Sequence, residues 1–342
     1  MTDEENLQLI VAKVRRHLLP FLIVCYFTAY LDRVNIGFAA LTMNSDLGIG
    51  PEAFGLIAGI FFAGYCLFEV PSNVALARFG ARVWIARIMI SWGLISMAMA
   101  FVTGPVSLGI ARFLLGVAEA GFFPGIIYYL TQWVPSAARA HTVSAFMVAV
   151  PISALIGAPV SGWILDAFNG LGGYKGWQWL FILEALPAVL LGIAAIFVLK
   201  DRPEQAAFLT AEEARLLTRV VAQEDAERLR AEKISLGAAL TDARILALSL
   251  VYFGIVAGLY SLTFWTPQIV KAFGLSNAVT GLVAAVPFLA GSLIMPGWGR
   301  HSDRTRERVW HVAIPCFVGA AGLIAGTLTS DPYFSLMALT LA

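Results

Sequence analysis

Four ionisable residues stand inside stretches of sequence that are otherwise apolar: the neighbours Asp32 and Arg33, and the pair Arg112 and Glu119. Charges in such surroundings are costly to bury and normally face a cavity or a partner, so these four are the first candidates for chemistry. An arginine stays charged at any relevant pH, and its planar fork makes two parallel hydrogen bonds to a carboxylate, which suits recognition of an anion. A buried carboxyl group suits proton binding. An incoming anion that takes over an arginine leaves Asp32 or Glu119 without that charge beside it, and a proton on the carboxylate compensates. By linkage the proton then favours anion binding to the same degree. The chemistry of this set is therefore joint binding of an organic anion and a proton. Its competitor is an ion-pair network that only fixes helix packing.

Arg112 and Glu119 are seven residues apart. That is about 700° round a helix, within about 20° of two full turns, so both project from one face. Gly116, Gly121 and Gly125 on the same stretch allow close helix approach or an open cavity wall. Of the 342 residues, 59% are hydrophobic and only 13% charged, against about a quarter charged in an ordinary soluble domain. Apolar blocks at 18–43, 53–77, 83–103, 105–130, 142–166, 177–199, 245–270, 278–298 and 310–330 are each long enough to cross a hydrocarbon layer about 30 Å thick. The expectation is an all-α integral membrane protein with nine spans and the start of a tenth at Tyr333.

Nineteen of the 23 Lys and Arg fall on alternate loops, with Arg87 counted among them, and Lys175 and Lys271 lie on the opposite side. By the positive-inside rule the N-terminus, the basic loops and the long linker are cytoplasmic. Three regions are expected: a six-helix half over 1–200, a linker over 201–244 and a second half over 245–342. In the linker, Thr210 and Glu213 form a capping-box pattern. The helix they open is expected to reach Lys233, with Glu224/Arg228 and Arg228/Glu232 at i,i+4 spacing and a stripe of Leu216, Leu217, Val220 and Val221. A weak internal repeat relates the stretch from Asn73 through Arg78 and Gly80 to Arg82 with that from Gly299 through Asp303 and Arg304 to Arg308.

A net charge of +1 gives no basic surface for nucleic acid. Cys25, Cys66 and Cys316 show no paired spacing, the four histidines form no HExxH, and GxSxG and the phosphate-loop spacing are absent, so no metal, cofactor or enzyme activity is expected. Glu69 and Glu184, near span ends, read as solvated at the interface. Tyr30 and Tyr65 are candidate donors to a carboxylate. Tyr260, Phe264 and Trp265 read as packing, or as a wall for a ring or acyl part of a substrate.

The strings at 31–37 (LDRVNIG), 69–73 (EVPSN), 80–93 (GARVWIARIMISWG), 112–125 (RFLLGVAEAGFFPG) and 201–213 (DRPEQAAFLTAEE) resemble the anion:cation symporter family of the major facilitator superfamily. Its bacterial tartrate, phthalate and hydroxyphenylacetate permeases are the most similar. The resemblance implies a twelve-helix fold of two halves, so the second half is expected to be incomplete at its C-terminal end. It implies proton-coupled uptake of organic acids at the bacterial inner membrane, by a monomer, with small organic anions, protons and the lipid bilayer as partners. Carried over by similarity, Arg33, Arg112 and Tyr65 bind substrate, and Asp32 and Glu119 bind the proton. The superfamily loop motif, Gly-xxx-Asp-Arg-x-Gly, maps onto Gly299, Asp303 and Arg304 with Arg306 at its last glycine. Its first-half copy keeps Arg78, Gly80 and Arg82 with Asn73 and Ala77 at its first two fixed positions. The competing expectations are a facilitator or antiporter of the same anions and a truncated, non-transporting membrane protein.

Overall fold

The computed structural model describes residues 3–230, 241–328 and 331–342, which are helical apart from short connections; no strand occurs among the described residues. A bilayer leaves the chain few other choices, because every backbone donor and acceptor must be satisfied within its own segment. The helices are α1 (Asp3–Leu47), α2 (Pro51–Phe79), α3 (Ala81–Ala98), α4 (Pro105–Glu119), α5 (Phe122–Thr131), α6 (Ser136–Met147), α7 (Ala149–Ala167), α8 (Gly176–Val198) and α9 (Ala211–Arg230), then α10 (Ala243–Lys271), α11 (Asn277–Ala284), α12 (Val286–Thr305), α13 (Val309–Thr327) and α14 (Pro332–Leu341).

Eight helical stretches are long and apolar enough to span, with α4–α5, α6–α7 and α11–α12 each counting as one. They cover eight of the nine expected blocks. The block at 18–43 lies in α1, whose outer part carries Asp32, Arg33 and Asn35 and which is not among the eight. The block at 105–130 is not one helix: Ala120 is extended and Gly121 takes φ +83°, so α4 stops directly after Glu119. Arg87 belongs to α3 rather than to the loop before it. Glu184 is 2% exposed, so the solvated interfacial position expected of it is corrected to a buried one.

The chain divides into two compact units. The first holds residues 1–32, 48–150 and 181–233. Its core is aromatic, with Trp92, Trp133, Tyr129, Phe54, Phe61, Phe122, Phe146 and Phe181 fully buried. The seam between α2 and α4 is set by two glycines: a Cβ on Gly116 would meet the carbonyl of Phe61, and one on Gly64 the carbonyl of Phe113. Small residues let membrane helices approach at backbone distance, where packing rather than water exclusion holds them together.

Helix α9 is fastened to this unit by polar contacts. Thr210 and Glu213 exchange hydrogen bonds at 2.9 and 3.2 Å across its N-terminus, and Glu213 pairs with Lys13. The Glu224 carboxylate accepts from the Ser136 backbone N–H at 2.9 Å and its hydroxyl at 2.8 Å, at the start of α6, with Arg139 at 3.4 Å. A carboxylate placed there also meets the positive end of the α6 dipole. Ala214, Leu217 and Val221 are the buried side of α9. The expected last turn to Lys233, with Glu232, and the side chain of Arg228 lie outside the described residues.

The second unit holds residues 33–47, 151–180 and 234–342. Gly37 lets α1 approach α10 so closely that an added Cβ would lie 3.1 Å from the carbonyl oxygens of Thr263 and Phe264. Asp166, at the end of α7, accepts from the Asn277 side chain at 2.7 Å and the Ala278 N–H at 2.8 Å, at the N-terminus of α11. Asp46 takes Lys175 at 2.5 Å and the Trp177 indole at 2.8 Å.

Two stability changes follow. Gly116→Val forces α2 and α4 apart, and overpacking of this kind costs about 1–3 kcal/mol, read as a lowered thermal unfolding midpoint of the purified protein; an unchanged midpoint would contradict the seam. Arg306, which ends α12 at φ +53°, is the one non-glycine residue with positive φ among those described. Because that conformation costs an L-residue roughly 1–2 kcal/mol, Arg306→Gly raises the midpoint, and a fall would show that the side chain contributes more than the strain.

Candidate functional site

Asp32 is 1% exposed. Its Oδ2 accepts from the Trp92 indole at 2.9 Å and its Oδ1 from the Ser96 hydroxyl at 3.1 Å. Trp92 and Ser96 are four residues apart on α3, so one face of that helix presents both donors. Arg112 and Glu119, at 0% and 1% exposure, both act electrostatically on Asp32. The first unit thus gathers two carboxylates and one guanidinium in a buried, aromatic interior. Because α4 ends at Glu119, the two turns from Arg112 are regular helix, while the break at Gly121 separates Glu119 from the rest of the span.

The guanidinium of Arg112 lies 4.9 Å from the centroid of the Phe61 ring, whose negative face attracts a cation. Its Nη2 reaches the Ala58 carbonyl at 3.5 Å. Tyr65, one turn beyond Phe61 on α2, tilts against that ring at 5.9 Å. The α2–α4 seam is what brings this row together, since Gly116 sits against Phe61 and Tyr65 itself. Arg33 belongs to the second unit, where its Nη1 donates to the Tyr260 hydroxyl at 3.0 Å.

The contacts of Trp92 and Ser96 with Asp32, of Phe61 with Arg112 and, in the second unit, of Tyr260 with Arg33 are not among the sequence expectations. A donor pair at i,i+4 in an apolar helix was visible at Trp92 and Ser96; that it faces Asp32 is a tertiary fact.

The repeated loops have matching chemistry. Gly80, at φ +91°, ends α2 as Arg306 ends α12. Arg82 meets Asp201 through its backbone N–H at 3.0 Å and its side chain at 3.6 Å, and Arg308 meets Asp303 at 2.8 Å. Arg78 and Arg304, the other matched pair, are exposed, with Arg78 5.8 Å from the Phe79 ring; Gly299 is exposed on α12. Beside the second loop the Trp310 backbone N–H, with His311, holds the Glu307 carboxyl below the usual carboxylate range. The Lys13 ammonium, with the Thr210 backbone N–H, does the same for Glu213. Among the described residues, no group of three or more His, Cys, Asp or Glu is arranged to hold a metal ion.

Comparison with known proteins supplies the family. Residues 22–342 match the family model described as Major Facilitator Superfamily. An Agrobacterium vitis protein named "Putative tartrate transporter" is 52% identical over 97% of this chain and 74% of its own length. The Acinetobacter baumannii "Quinolone resistance transporter" is 40% identical over 96% of this chain and 76% of its own length. Among solved structures, a bacterial homologue of the human lysosomal transporter Spinster, inward-facing and occupied, aligns with a TM-score of 0.72 at 18% identity, covering 96% of this chain and 70% of that one. The Escherichia coli xylose transporter XylE, partially occluded and inward open, aligns at 0.70 and 16% identity, covering 98% and 83%. At those identities the structural likeness is one of fold. With the family model matched over most of its length, the chain belongs to the major facilitator superfamily, and it is a multi-pass membrane transporter rather than an enzyme.

Proposed function

We propose that this transporter carries a small carboxylate anion together with protons across a bacterial inner membrane, by alternating access and as a monomer. The observation that carries the reading is the burial of Asp32, Arg112 and Glu119 in one electrostatic field. Two carboxylates share that field with one guanidinium, and a buried negative charge is costly. Protonation of one carboxyl lowers that cost. An arriving carboxylate adds a further negative charge, which a proton taken up with it offsets. Anion and proton therefore favour each other's binding.

Within this reading Arg112, Arg33 and Tyr65 recognise the anion, and Asp32 and Glu119 bind the proton. Trp92 and Ser96 hold Asp32 in place as it changes charge. The relative named for tartrate supports a carboxylate as cargo. The basic residues counted on alternate loops support an N-terminus and linker on the cytoplasmic side, with 1–200, 201–244 and 245–342 as first half, linker and second half. The loop residues Arg78, Gly80, Arg82, Gly299, Asp303 and Arg304 are assigned to control of the conformational change.

The test is uptake of labelled tartrate, with other carboxylates as competitors, into vesicles holding the reconstituted chain under an inward proton gradient. Wild-type uptake is expected to collapse with the gradient; uptake indifferent to it would favour a facilitator. Asp32→Asn or Glu119→Gln is expected to lower gradient-driven accumulation about tenfold or more, in the range of ordinary coupling energies. Both variants remaining fully gradient-driven would contradict the assignment.

A further inference from the structure

We infer that Asp166 is the latch of the outer gate, a carboxylate on α7 that holds the N-terminus of α11 and must let go before the outer side opens; this rests on the reading that the two halves move by alternating access. Helix α7 lies within 1–200 and α11 within 245–342, so the contact ties one sequence half to the other. Both helices belong to the second compact unit. Asp166 is one residue from the end of α7, and Ser276 directly precedes α11. Lys175 and Lys271, the two basic residues set apart from the basic loops, stand in the connection after α7 and at the end of α10. By the positive-inside rule this contact is on the side away from the linker.

The tie has two parts, and the first is backbone approach. Ala158, Gly162 and Asp166 recur every four residues on α7 and so line one face. A Cβ on Gly162 would lie 2.4 Å from the Asn277 carbonyl oxygen, and one on Gly281 2.3 Å from that of Ala158. The seam is therefore in register from Ala158 and Gly281 to Gly162 and Asn277. The second part is charge. The first backbone N–H groups of a helix have no partner inside it, and α11 meets part of this need itself, through the Ser276 hydroxyl, which accepts from the Val279 N–H at 3.3 Å. The Ala278 N–H goes instead to Asp166 Oδ2 at 2.8 Å, while the Asn277 side-chain amide donates to Oδ1 at 2.7 Å. A carboxylate in that place also meets the positive end of the α11 dipole. A helix capped by its neighbour cannot move away without losing the cap. The glycine seam closes by contact alone, whereas Asp166 adds directional bonds at the end where parting begins.

The experiment reads the separation of the two helices. In a Cys25→Ala, Cys66→Ala, Cys316→Ala background, spin labels are attached through Trp163→Cys on α7 and Val279→Cys on α11, both exposed positions. The distance distribution is then recorded for the reconstituted protein. Asp166→Ala is expected to raise the longer-distance population about threefold or more, within what loss of hydrogen bonds to a charged group allows. Asp166→Asn keeps an acceptor oxygen and is expected to shift it less. Asn277→Ala is expected to act in the same direction, and combined with Asp166→Ala to add little, since both remove one shared contact. In uptake of labelled tartrate from the outer side, a larger outward-open fraction lowers KM by the same factor. A cap that only stabilises the fold gives another result: Asp166→Ala lowers the thermal midpoint and leaves the distances unchanged, which would overturn the inference. A widened distribution in a protein that takes up no carboxylate sinks the anion reading and leaves the latch standing. Saturable, proton-driven uptake with distances unaffected by Asp166→Ala overturns the latch alone.

Discussion

A carboxylate in the middle of an apolar helix bundle is tolerated only where donors are already in place. The contact of Asp32 with Trp92 and Ser96 meets that condition at 2.9 and 3.1 Å. Around it the rest of the first unit makes sense. Helix α3 must present two donors at one level. Helix α4 must bring a guanidinium and a second carboxylate into the same field. Helix α2 must come close enough for the Phe61 ring to meet Arg112, which is what glycine on both sides of the seam permits. Electrostatics and packing meet at Arg112, since the Phe61 ring it lies against is on a helix seam set by close backbone approach.

Helix α1 serves both units. The boundary between them falls between Asp32 and Arg33. Successive helical residues project about 100° apart, so neighbours in sequence can take different partners, and here Asp32 accepts from α3 while Arg33 donates to α10.

Much of this was legible in the sequence. Apolar length alone located the spans, because a bilayer sets a minimum length and forbids unsatisfied backbone. The seven-residue spacing of Arg112 and Glu119 put them on one face, and their cost in an apolar stretch marked them out. What the sequence withheld was tertiary. The break after Glu119 depends on Gly121 adopting a left-handed conformation, and a glycine in an apolar run reads equally well as a packing residue. Glu184 looked like an interfacial acid by its place near a span end, yet packing buries it. Arg87 reads as a loop residue by its charge, yet it lies within α3, since a long arginine side chain can start well inside a helix. Tyr260 reads as packing or as a cavity wall, because nothing local distinguishes a phenol that fills space from one that receives a guanidinium.

The central claim is that anion and proton travel together, and the most direct measurement is of the proton itself. Lightly buffered vesicles holding the reconstituted protein, with no imposed pH gradient, are given an inward carboxylate gradient while external pH is followed. The account predicts that the medium turns alkaline as the anion enters, and that a protonophore abolishes the change. Anion entry with no movement of external pH would contradict it.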